Sequence, residues 1–219
     1  MLVAIIFRLF LWCLGWQLIP QETFDYLNKH DRLVIAFSHT SYVDFYIMTM
    51  YMLAYPHELR FIRILVKPQP FAYIGWLLRR FGAIPATRVD DHHGGAVTRI
   101  ARELQEEDKT LFLISPKGTI VKREWRSGYY HIARMLNAPL LASGLDYERR
   151  AIVVSKAIPH EEGESVVKHF LYDQLSKIVP LFPEEEVMTI REHNGRSVVD
   201  YRRLSVVILV VGLLTCMLW

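Results

Sequence analysis

Five short apolar runs, rich in branched side chains and spaced widely enough for a helix between them, constrain this chain most. They are Arg32–Phe37, Phe61–Val66, Thr110–Ile114, Pro139–Ala142 and Ala151–Val154. Runs this short, flanked by turn or charged residues, fit strands buried on both faces. Helical patterns fill the gaps, at Val43–Tyr55, Phe71–Phe81, Gly95–Glu107, Gly128–Leu136 and Ser165–Val179. In the 95–107 stretch Val97, Ile100, Ala101 and Leu104 fall on one helical face. Strand–helix alternation predicts an α/β domain: a largely parallel central sheet flanked by helices. There is no internal repeat and no low-complexity linker.

The ends of the chain differ from its middle. The hydrophobic share of 52% in 219 residues is high for a purely soluble protein. The surplus lies in residues 1–19, whose single charge is Arg8, and in residues 204–219, which carry none. Arg8 falls inside the apolar run and no small-residue cleavage site follows, so a removed signal peptide fits poorly. The expectation is a retained membrane-associated helix over 1–19, with Trp12 and Trp16 at the headgroup boundary. A C-terminal transmembrane anchor is expected over 204–219, about 24 Å of helix. Arg202 and Arg203 precede it, which favours a domain facing the cytosol. Residues 20–180 then form the globular domain and 181–203 a polar connector.

The net charge of +3, from 26 basic and 23 acidic residues, makes no case for a nucleic-acid partner. Cys13 and Cys216 both sit in apolar terminal segments, too few and too far from ligand spacing for a zinc site or disulfide framework.

In parallel sheets, sites gather where strands end. After the first run comes Ser38-His39-Thr40-Ser41-Tyr42-Val43-Asp44. Five residues along a regular helix would set His39 and Asp44 about 140° apart. A strand-to-helix turn removes that obstacle. Asp44 in the first helical turn could then hold one ring nitrogen while the other takes a proton from an attacking hydroxyl. No serine or cysteine nucleophile is required if the acceptor hydroxyl itself attacks. The competing reading is a capping aspartate beside a structural histidine.

Basic residues follow the other runs. Lys67 ends the second, Arg88 closes the loop Gly82-Ala83-Ile84-Pro85-Ala86-Thr87-Arg88, and Ser115-Pro116-Lys117-Gly118-Thr119 follows the third. Cations and a Gly-Thr turn at strand ends make a plausible phosphate site. Asp90-Asp91-His92-His93 is read as a solvated loop, because four adjacent residues cannot converge on one ion; no metal is expected.

These loops together resemble the glycerolipid acyltransferase family, of which lysophosphatidic acid (1-acylglycerol-3-phosphate) acyltransferases are members. The resemblance covers roughly residues 30–155. The family's H-x4-D motif is matched by His39 and Asp44, and its glycine-to-arginine loop by Gly82 to Arg88. Its Pro-Glu-Gly-Thr motif is matched in part by Pro116-Lys117-Gly118-Thr119, and its apolar strand with proline by Ala138-Pro139-Leu140-Leu141. Trp125 to Ala133 is similar to a small bacterial-type branch. The resemblance implies His39 as catalytic residue with Asp44 as its partner, and an acyl-CoA or acyl carrier protein thioester as co-substrate, with no other cofactor. It implies that Arg88, the third-motif loop and Lys67 bind the acceptor phosphate, and that membrane lipids are the protein's partners.

Lys117 departs from the family, which has glutamate there. A reversed charge leaves two outcomes open: a different acceptor head group, or weakened activity. The leading expectation is acyl transfer to lysophosphatidic acid or a related lysophospholipid. A catalytically weak or inactive lipid-binding scaffold is the alternative. A serine hydrolase is disfavoured, since no G-x-S-x-G turn accompanies this histidine.

Overall fold

A computed structural model describes residues 2–41, 43–86, 95–118 and 125–181. The central runs become strands: β1 (Arg32–Ser38), β2 (Ile62–Val66), β3 (Ala83–Pro85), β4 (Thr110–Ile114), β5 (Leu140–Asp146) and β6 (Ala151–Val154). They form one six-stranded sheet in the order β3-β2-β4-β1-β5-β6. Every neighbouring pair is parallel except β5 and β6.

The apolar runs are explained by burial on both sides of the sheet. Alternate strand residues point to opposite faces. Leu33, Ile35 and Phe37 therefore join one core cluster, while Val34 and Ala36 join the other. In β4, Leu111 and Leu113 face the first layer, Phe112 and Ile114 the second. The first layer is built by α1 (Leu2–Cys13), α2 (Gln21–Asn28) and α3 (Val43–Ala54), and the second by α5 (Gly95–Gln105), α6 (Gly128–Leu136) and α7 (Glu164–Ser176). α4 (Phe71–Arg80) connects β2 to β3. Each fully buried Leu or Ile contributes about 1.5–3 kcal/mol relative to exposure, so the two clusters dominate stability.

Two elements go beyond the sequence pattern. α2 is short and mostly polar, burying Phe24 and Leu27. β3 has three residues, one of them Pro85, and pairs with β2 alone. Proline is tolerated there because an edge strand needs no donor on its open side. β5 also outruns the expected strand, continuing through Ser143 and Gly144 to Asp146.

The N-terminal helix is shorter than the apolar run over 1–19. α1 has 12 residues, about 18 Å of helix, too short to cross a bilayer. Among the described residues no helix is long and apolar enough to do so. α1 packs instead on α3. Phe7 and Leu11 are buried, and the Arg8 guanidinium is satisfied by the Ala54 carbonyl at 2.9 Å while lying 4.4 Å from the Tyr55 ring centroid. Trp16 is not at a headgroup boundary. It is 6% exposed, in edge contact with Tyr51 and Tyr147. The other face of α1 is apolar and open: Leu2, Ile5, Ile6, Leu9, Phe10 and Trp12 are all exposed. The expected anchor at 204–219, and the connector after Leu181, lie outside the described residues.

Gly82 opens β3 at a left-handed φ of +72°, and a Cβ built there would lie 2.2 Å from the Ile62 carbonyl oxygen. Gly82→Ala is therefore expected to lower stability by more than about 1 kcal/mol. Thermal unfolding measures this as a Tm drop of at least about 2–4 °C.

Candidate functional site

The parallel strands deliver their carboxyl ends to one edge. Across that edge, in strand order, lie Ala86 after β3, Lys67 after β2, the Ser115–Gly118 turn after β4, His39 after β1 and Tyr147 after β5. β1 and β4 are neighbours, yet β1 leads into α3 in the first layer and β4 leads toward α6 in the second. In such sheets a ligand crevice usually lies where adjacent connections leave for opposite faces, as these two do.

His39 is the first residue beyond β1, and Asp44 is the second residue of α3. The intervening turn folds back on the carboxylate. His39 Nδ1 lies 3.1 Å from Asp44 Oδ2. The backbone N–H groups of Thr40 and Ser41 donate to the same oxygen, at 2.8 and 3.0 Å. The Ser41 hydroxyl accepts from the Val43 N–H at 2.9 Å, capping the start of α3. The other oxygen, Oδ1, accepts the Tyr147 hydroxyl at 2.7 Å.

Asp44 is 2% exposed. A carboxylate so buried is tolerable only when its lone pairs are occupied by donors, and here they are. The carboxylate only accepts, so Nδ1 carries the proton. That tautomer leaves the Nε2 lone pair for a substrate, and the His39 side chain is 33% exposed. The arrangement is equipped to draw a proton from an approaching hydroxyl and to stabilise the resulting imidazolium.

The Ser115–Gly118 turn follows β4, the strand next to β1. Pro116 is buried, and Gly118 at φ +64° closes the turn by donating its N–H to the Ser115 carbonyl at 2.9 Å. Lys117 is half-buried, and burial lowers the pKa of its ammonium. Lys67 is exposed at the end of β2.

The structure thus brings His39, Asp44, Lys67, Pro116, Lys117 and Gly118 to one edge. Gly82 is not among them. It lies at the opposite, amino end of β3, where a backbone clash explains the glycine without a substrate. Arg88 and Thr119 lie outside the described residues, as does Asp90 to His93. Among the described residues no cluster of metal-ligating side chains occurs.

Tyr147 was not singled out from the sequence. The signal was there in part: a residue immediately beyond a strand parallel to β1 must reach the same edge. The apolar run ends at Ala142, however, which hid where the strand stops.

The profile of the Acyltransferase family matches residues 20–145, more than half of the 219. Among solved structures, the 1-acyl-sn-glycerophosphate (LPA) acyltransferase PlsC from Thermotoga maritima is similar at 10% identity. The match covers 78% of this chain and 70% of that one, with a TM-score of 0.47. No curated protein matches.

Proposed function

The chain belongs to the Acyltransferase family, and we propose that within it the protein transfers a fatty acyl group from an acyl thioester to a lysophospholipid hydroxyl, lysophosphatidic acid foremost. The observation that carries this reading is the His39–Asp44 pair, held at 3.1 Å at the end of β1, an arrangement that leaves the Nε2 lone pair to a substrate.

In the proposed reaction Nε2 takes the acceptor's hydroxyl proton as its oxygen attacks the thioester carbonyl. A C–O bond forms and the carbonyl oxygen becomes an oxyanion, met by a backbone or basic donor of the crevice. Collapse breaks the C–S bond. The imidazolium returns its proton to the departing thiolate, so His39 ends as it began. The thioester comes from acyl-CoA or acyl carrier protein. Lys67, the 116–119 turn and Arg88 supply the positive charge for the acceptor's phosphate.

The outward face of α1 supports membrane attachment, with the acceptor drawn from the bilayer. Six large apolar side chains on one short helix bind an interface by burying themselves among acyl chains. The domain is proposed to rest on the cytosolic face.

A non-catalytic lipid-binding role is the second reading, favoured by Lys117 in place of glutamate. Purified protein that binds lysolipid yet forms no product from any acyl donor would establish it.

His39→Ala is expected to lower kcat for transfer of labelled acyl groups to lysophosphatidic acid by about 10²–10⁴-fold, with a lowered thermal transition but a retained fold. Full activity in that variant ends the proposed mechanism. Arg88→Ala is expected to raise the KM for a phosphate-bearing acceptor about tenfold, with kcat little changed. A joint Leu9→Glu, Phe10→Glu variant, both sites exposed, is expected to lose most co-sedimentation with phospholipid vesicles while the fold persists.

A further inference from the structure

The Asp44 carboxylate divides its two oxygens between different parts of the chain. Among the described residues, Oδ2 takes the local donors, from His39, Thr40 and Ser41. Oδ1 is met by Tyr147, 103 residues away in sequence, at 2.7 Å. Without that hydroxyl, a nearly buried, charged oxygen would lose its donor, and the carboxylate could turn about its terminal bond. The carboxylate's charge would stay beside the imidazole, but its direction, and with it the ring's, would be set less firmly.

Tyr147 is itself held. Its backbone N–H donates to the Val179 carbonyl at 2.9 Å. Its ring meets the edge of Trp16, with centroids 5.3 Å apart and planes at 82°. Trp16 is fixed in turn by its N–H bond to the Leu11 carbonyl at 2.8 Å.

We propose that Tyr147 is a positioning residue that sets the Asp44 carboxylate, and through it the orientation and basicity of His39, with Trp16 bracing the phenol ring. The role rests on the dyad reading given above. Burial raises the Tyr147 pKa, and the Asp44 charge and the hydrogen bond to it raise it further, so the phenol remains a donor throughout the working pH range. Among the described residues Asp44 is the charged group that acts on it.

The sign of the effect follows from charge. A hydrogen bond from the phenol disperses the carboxylate's negative charge. Removing it leaves more of that charge to favour the imidazolium, so the His39 pKa rises. The acidic limb of the pH dependence of kcat/KM then moves to higher pH.

Tyr147→Phe keeps the ring against Trp16 and removes only the hydroxyl. It is expected to lower kcat roughly tenfold while both KM values stay within about twofold. The test reads the His39 pKa by NMR titration of histidine-labelled protein, with His39→Ala supplying the assignment, alongside the pH–rate profile. An upward pKa shift with the kcat loss supports the role. A kcat loss with an unmoved His39 pKa makes Tyr147 a packing residue and overturns it, as does an unchanged kcat. The titration needs no turnover, so the two readings separate. A shifted pKa in a protein that transfers no acyl group keeps the positioning role and ends the enzyme assignment. Should Tyr147→Phe not fold, 3-fluorotyrosine placed at position 147 strengthens the donor in nearly the same shape. A lowered His39 pKa then supports the role, and an unmoved one overturns it.

Discussion

The arrangement of the sheet's functional edge depends on one buried negative charge. Asp44 is 2% exposed, and a carboxylate removed from water costs several kcal/mol unless hydrogen bonds replace its hydration. Four donors do so: the His39 ring, two backbone amides and a phenol. The two amides can converge only if Thr40 and Ser41 turn back toward the carboxylate, so meeting its demand dictates the local backbone. The phenol can reach it only if β5 runs past the end of β1, which it does: Ser38 pairs with Gly144, leaving Leu145, Asp146 and Tyr147 beyond. Local backbone and long-range topology thus meet at one group. Removing any of these donors would unsettle the others, because hydrogen bonds sharing one acceptor group are coupled.

Much of this was legible in the sequence, and the parts that were not have identifiable causes. Parallel strands covered on both faces must be continuously apolar, and β1 and β4 announce themselves for that reason. His39 and Asp44 could be placed because their spacing makes sense only across a strand-to-helix turn. β3 gave no such signal: three residues with a proline are held by the edge of β2, not by their own pattern. β5 looked shorter than it is because Ser143, Gly144 and Asp146 interrupt its apolarity. Their polar groups are handled individually, Asp146 by accepting from the Arg149 backbone and guanidinium.

Gly82 and Trp16 show the limits of reading a residue by type. A glycine at the start of a basic loop suggests room for a phosphate. In the fold its missing side chain makes way for the Ile62 carbonyl. A tryptophan in an apolar terminal run suggests a lipid boundary. Trp12 and Trp16 share that run, yet one is 69% exposed and the other 6%. Only the turn after α1 decides between them, and a turn's direction depends on what the chain packs against.

That turn also links the surface helix to the site. Tyr51 of α3 donates to the Gln17 carbonyl at 2.6 Å, and Tyr55 accepts from the Ile19 N–H at 3.0 Å. These bonds, with Trp16 and Arg8, tie the N-terminal segment to the helix whose first turn carries Asp44. The inner face of α1 therefore belongs to the same core as the carboxylate's supports, while its outer face is left apolar. In the proposed membrane attachment, a load on that outer face would pass to α3 and to the Trp16–Tyr147 contact. The apolar surface of α1 and the His39–Asp44 pair thus draw on one packed layer of the fold.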